Sequence, residues 1–299
     1  MSQNNKTSRI RETLLQIGAI HEKNIIVYSS RTRDNSNLTV YKDIKTDVIF
    51  IDDYYVGDEE YTKGAYRGSS SSQEGLNSYE DEVDTNRRLK SFQSLFWGKN
   101  ICDFGCGAGN FLKTIRPFTA SVQGVELQNN LRESLNARDI PCYESINEVS
   151  APLDMITLFH CLEHLPDPLE ILSAMHKKLI ASGGGLLVVE VPHARDILLK
   201  DLRCDDFIQH TLWSQHLVLH TRESLRLLLS YAGFKNIIIN GIQRYNIANH
   251  LHWMSSGRPR GHTSTINRIE SPELLEAYAN ALSNIDANDT LVAIANVDL

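Results

Sequence analysis

The sequence predicts an α/β protein built on a mostly parallel sheet, preceded by a small β-rich lobe. Three observations predict it. From Ile101 onward, apolar runs rich in Val, Ile and Leu alternate with amphipathic segments, the pattern of parallel βα units. Before residue 68, short β-branched and aromatic runs are separated by polar breaks. Hydrophobic residues make up 41% of the 299-residue chain, enough for a sizeable core and too much for disorder.

Taken in order, Asn24–Ser29, Leu38–Tyr41 and Val48–Asp52 read as strands of the lobe. Asp52–Tyr66 is rich in acids and in tyrosines (Tyr54, Tyr55, Tyr61 and Tyr66), and Ser69–Ser72 reads as a joint or lid hinge. Residues 1–78 therefore form the lobe and hinge, and residues 79–299 the main domain. Glu80–Phe96 is a helix with Leu89, Phe92 and Phe96 on one face. Ile101–Phe104, Ser121–Glu126, Asp154–Phe159 and Gly185–Val191 read as strands. Between them lie helices at Asn110–Arg116, stopped by Pro117, at Asn129–Asp139 and at Pro168–Leu179. Thr221 caps a further helix whose apolar positions Leu225, Leu228, Leu229 and Ala232 share a face, and Gly233 ends it. Lys235–Ile239 and Thr290–Val297 form a final strand pair. Residues 241–289 between them are too long for a hairpin and include a helix starting at Ser271-Pro272.

Charge and cysteine usage narrow the partners. A net charge of −7 argues against nucleic acid, whose phosphates require a basic surface. The five cysteines include no C-x-x-C pair, so neither a metal site nor a disulfide framework is read from the sequence. Reduced thiols, a polar start and the lack of any apolar run of ~18 residues point to the cytoplasm and no membrane span.

The strongest local signal is Asp103-Phe-Gly105-Cys106-Gly107-Ala-Gly109, directly after a strand and opening a helix. Glycines let the backbone approach a ligand closely. The dinucleotide pattern G-x-G-x-x-G would put its last glycine at Asn110, so the spacing disfavours an NAD-dependent dehydrogenase. The next strand ends in Glu126, where a carboxylate can accept from both ribose hydroxyls.

D-x-G-x-G-x-G resembles motif I of class I S-adenosylmethionine (SAM)-dependent methyltransferases. Leu153–Pro168, with His160, Glu163 and His164, is similar to that superfamily's fourth-strand motif, and Gly183–His193 to its fifth. The resemblance spans about residues 88–240. It implies a seven-stranded, mostly parallel Rossmann-like sheet and SAM as cofactor. Asp103, Gly105, Cys106, Gly107, Gly109, Glu126, Leu127, Phe159 and His160 are the implied cofactor contacts. A catalytically dead SAM-binding domain would be expected to lose the loop glycines or the acid, and this chain keeps them.

Trp213–Thr221 resembles a segment of bacterial sugar methyltransferases, including enzymes that methylate carbon. Trp213 and Gln215 stand where those show Tyr and Glu, and their N-terminal cysteine-rich zinc module is missing here, which favours O-methylation over C- or N-methylation. Tyr41–Tyr55, Gln243–Trp253 and Gly257–His262 look like segments of methyltransferases for surface polysaccharides. The implied acceptor is a hydroxyl of a sugar, nucleotide sugar or polysaccharide precursor, with room for a homo-oligomer. The expected acceptor contacts are Tyr54, Tyr55, Tyr66, His193, Trp213, Gln215, Arg244, Asn249 and His252. A general base near pH 7 is best supplied by histidine. It is placed at His164 or His216, with His164 preferred because Gln215 cannot stabilise an imidazolium at His216. Glu163 is a candidate to assist that base, although helical geometry next to His164 would point it elsewhere.

Overall fold

The computed structural model describes residues 8–62, 74–150 and 152–297. The chain opens with α1 (Ile10–Gln16), then β1 (Ile25–Ser29), β2 (Val40–Asp43), β3 (Ile49–Ile51), α2 (Asp58–Thr62) and the long α3 (Glu74–Phe96). The alternating half follows: β4 (Asn100–Phe104), α4 (Asn110–Ile115), β5 (Ser121–Val125), α5 (Asn129–Asn136), β6 (Cys142–Tyr143), β7 (Met155–Phe159), α6 (Pro168–Ala181) and β8 (Gly185–Pro192). It closes with α7 (Ile197–Lys200), α8 (Asp205–Thr211), β9 (Val218–Leu219), α9 (Arg222–Tyr231), β10 (Lys235–Ile242), α10 (Ile247–Ser256), α11 (Pro272–Asn284) and β11 (Thr290–Val297).

Seven strands form one sheet in the order β10-β11-β8-β7-β4-β5-β6. β11 runs antiparallel to both β8 and β10, and the remaining pairs are parallel. Continuous burial of Ile101–Asp103, Met155–Leu158 and Leu187–Val191 is what a sheet covered on both faces demands. Helix starts follow local chemistry. Asp167 accepts the Glu170 N–H ahead of Pro168 at the head of α6, and Thr221 and Ser224 form a reciprocal cap on α9. The sheet order reverses between β4 and β7, where open α/β sheets leave a crevice at their carboxyl ends.

A second, antiparallel sheet runs β1-β2-β3-β9. Its last strand comes from the far side of the parallel half: Ile49 and Phe50 pair with Leu219 and Val218. Ile10, Leu14, Val48 and Phe50 pack in the same cluster as Ile156, Leu172 and Leu229. The lobe's sheet is thus completed by the main domain, and α1 docks on the main core.

Candidate active site

The carboxyl ends of β4, β5 and β7 open on a cleft of ≈580 Å³. Gly105 and Gly107 line it and Gly109 caps α4 just behind, and all three hold left-handed φ, between 55° and 74°. At Gly105 a Cβ would stand 2.6 Å from the Cys161 Sγ, so torsion and crowding both select glycine. Asp103 is buried, and its Oδ1 accepts the Thr157 hydroxyl at 2.7 Å. Burial pushes its carboxyl up to about 7, against the pull of Thr157 and Arg88. Glu126 accepts the N–H groups of Gly107 (2.8 Å) and Gln128 (2.9 Å), tying the glycine loop to the end of β5. Each of its oxygens keeps a lone pair for a hydroxyl donor. Cys106, Leu127, Phe159 and His160 line the same cleft.

Among the cleft residues that escaped sequence reasoning, one is positively charged and reaches the cleft from α3. Arg88, on α3, lies 4.3 Å over the Phe159 ring and donates to Glu190 at 2.6 Å. Its Nε is buried without a hydrogen-bond partner among the described residues. A carboxylate for a cation, a guanidinium with an unused donor, a second carboxylate for hydroxyls and a glycine floor suit SAM. Asp103 would face its ammonium or sulphonium, Arg88 its carboxylate and Glu126 its ribose.

The histidine segment follows β7. His160 has a left-handed φ of 50°, and its N–H donates to the Glu190 carbonyl at 2.8 Å. Its ring stands between two carboxylates, Nδ1 at 3.3 Å from Glu163 and Nε2 at 3.2 Å from Glu190. Burial and Arg244 oppose its charged form, but the two acids outweigh them and raise its pKa. Residues 162–164 form a 3₁₀ turn rather than α-helix. That turn corrects the expected orientation of Glu163, whose Oε1 lies 4.0 Å from the His164 Nε2. Burial opposes the Glu163 carboxylate, yet the hydrogen bond with His160 holds it down at about 2.

His164 lines the cleft, and its Nδ1 donates to the Gln215 carbonyl at 2.8 Å. That leaves the lone pair on Nε2. His216 stands behind it, with ring centroids 5.2 Å apart, and its Nδ1 donates to the Thr211 carbonyl at 3.1 Å. Burial and the neighbouring His164 lower His216 to about 3, leaving it a weak base.

The expected acceptor contacts scatter. Tyr55 lines the cleft and donates to Asp58 at 2.6 Å; its ring stacks with Tyr61, which also faces the cleft. Tyr54 instead packs against the Leu38, Val40 and Ile49 cluster, and Tyr66 lies outside the described residues. Trp213 and Gln215 are a layer behind the cleft: the Trp213 ring meets His164 edge-on, and the Gln215 carbonyl holds the His164 imidazole. His193 is not at the cleft, because β8 carries it past the opening into a buried position where its Nδ1 donates to the Asn288 carbonyl. Arg244 is consumed by Asp84 on α3. Asn249 is buried in α10 beneath Gly261, whose absent Cβ would fall 2.2 Å from the Asn249 Cα. His252, farther along α10, places its Nε2 3.2 Å from the Ser256 hydroxyl.

Known proteins agree with this architecture. The chain is similar to a SAM dependent methyltransferase from Archaeoglobus fulgidus, with a TM-score of 0.50 and 18% identity over 72% of this chain and 94% of that one. It is also similar to the chain in the complex between the Haloferax volcanii Trm112 methyltransferase activator and the putative methyltransferase, with a TM-score of 0.51 and 13% identity over 80% and 96% of the two chains. At such identities the likeness is one of fold. Curated relatives include the ubiquinone biosynthesis O-methyltransferases of Psychrobacter cryohalolentis, 32% identical over 29% of this chain, and Pseudomonas aeruginosa, 29% identical over the same share. The match spans about two fifths of those proteins' length, 38% and 42%. A family described as "Methyltransferase domain" matches residues 79–238, more than half of the chain. The chain belongs to this methyltransferase family.

Proposed function

We propose that this methyltransferase moves the methyl group of SAM to a hydroxyl oxygen of a small, sugar-like acceptor. The supporting observation is His164: a cleft-lining imidazole, fixed by the Gln215 carbonyl, with its Nε2 lone pair free of hydrogen. When bound, SAM supplies an activated methyl on a sulphonium. The protein's own part is to hold the acceptor oxygen in line and to take its proton. His164 serves as that base, and His216 is unsuited by its low pKa.

The cleft's remaining lining supports a hydroxylated acceptor. Tyr55 and Tyr61 offer ring faces, and Asp58, Asp81, Glu144, Asp167 and Glu170 line the same cleft with carboxylates that accept hydrogen bonds from hydroxyls. Among the described lining residues Arg88 is the single arginine or lysine, which favours a neutral sugar over a nucleotide diphosphate. The O-methyltransferase relatives support oxygen as the atom methylated.

The test is to incubate the protein with SAM and a panel of neutral sugars, nucleotide sugars and phenols, and to locate the new methyl by mass and NMR. A methyl on carbon or nitrogen, or transfer to phenols alone, overturns this reading. His164→Gln should lower kcat by about 10²–10⁴-fold with S-adenosylhomocysteine (SAH) affinity unchanged. An undiminished kcat removes His164 as base.

A further inference from the structure

Glu163, His164 and His216 each offer one ligand atom, and the three atoms lie within 4.8 Å of one another. Two features separate this cluster from an ordinary polar contact. Both imidazoles spend Nδ1 on main-chain carbonyls, His164 on Gln215 and His216 on Thr211, so both present an unprotonated Nε2. A carbonyl behind the ring is the arrangement that orients histidine ligands and sharpens their basicity. The Glu163 side chain is 1% exposed; Oε1 is engaged by His160, while Oε2 is buried with no hydrogen-bond partner among the described residues. An ionised, buried oxygen without a donor is costly, and a cation is what would satisfy it.

From this we propose that Glu163, His164 and His216 form a site for one divalent first-row transition ion of the zinc class. Two imidazoles and one carboxylate suit zinc, cobalt or iron over magnesium, which prefers oxygen ligands and water. Metal–ligand bonds of ~2.0–2.2 Å require the three side chains to draw together from their present separation. Trp213, stacked edge-on against both histidines, packs the outer side of the pair. Because His164 also lines the cleft, an ion there stands beside the acceptor's position, where it lowers the pKa of a bound hydroxyl. In the loaded protein the ion takes over from the bare imidazole the task assigned above to His164. The site's existence does not depend on the acceptor's identity.

The test uses the full chain, stripped with chelator and titrated with Co²⁺ and Zn²⁺, followed by visible absorption and by bound-metal analysis after gel filtration. One equivalent per chain is expected, with a ligand-field spectrum that excess Mg²⁺ does not erase. Glu163→Gln and His216→Ala should each weaken Co²⁺ binding by 10-fold or more. SAH calorimetry and a cooperative melt on the same samples confirm that each variant is folded. Failure of the stripped wild type to bind Co²⁺ or Zn²⁺, or equal binding by both variants, overturns the site. Retained SAH binding in that case leaves the methyltransferase reading standing.

Discussion

Glu126 combines two tasks in one carboxylate, closing the glycine loop and offering lone pairs to the cleft. Glu126→Gln puts an amide N–H₂ against one of two N–H donors, so it breaks a loop bond as well as a ligand bond. Hydrogen bonds to a charged acceptor are worth ~1.5–3 kcal/mol each, so SAH affinity should fall more than tenfold by calorimetry. Unchanged affinity would remove Glu126 from the ribose site. At this scale the glycine loop and Glu126 were legible, because glycines in left-handed φ and an acid at a strand end follow from local sequence. Arg88 was not. A second arginine on a helix looks solvated, and only the packing of α3 across Phe159 makes it a cleft residue. Glu163 misled for another reason: a left-handed His160 followed by a 3₁₀ turn brings side chains together that an α-helix would part.

Asp196 shows how an element end can store a pH dependence. It caps α7 by accepting the Leu198 N–H at 2.7 Å, and burial together with Asp289 raises its carboxyl to about 8. The folded state therefore keeps a proton that the unfolded state sheds near pH 4. Its contribution is fully present below that pH and is lost as pH rises toward 8, by at most ~1.4 kcal/mol per pH unit. Asp196→Asn keeps the cap without the charge, so its Tm advantage over the wild type should widen from pH 4.5 to 8.5. Parallel Tm curves would show that the carboxyl is not protonated in the fold. The strands and helices of the parallel half were readable from their periodicity, as were the caps at Thr221 and Ser271-Pro272. α1, β6, β9 and α10 were not. Two-residue strands such as Val218–Leu219 carry no period of their own, and α10 lay inside a stretch read only as an insertion.

For the molecule as a whole, the shared core decides what can be cut away. Ile10, Leu14, Ile20, Val48 and Phe50 are almost fully buried in the main cluster. At ~1.5–3 kcal/mol per buried side chain, their sum is comparable with the ~5–15 kcal/mol stability of a typical domain. A chain starting at Glu74 should therefore be insoluble or lack a cooperative melt, and the full chain should unfold in one transition by calorimetry. Two separated transitions would show that the N-terminal segment folds by itself. The pairing of β3 with β9 has a consequence in time. On the ribosome, residues 49–51 emerge about 170 residues ahead of the strand that completes their sheet, and so distant a closure slows folding. Until then the β3 edge stands open, and the nascent chain depends on whatever keeps an unpaired strand from joining a neighbour's.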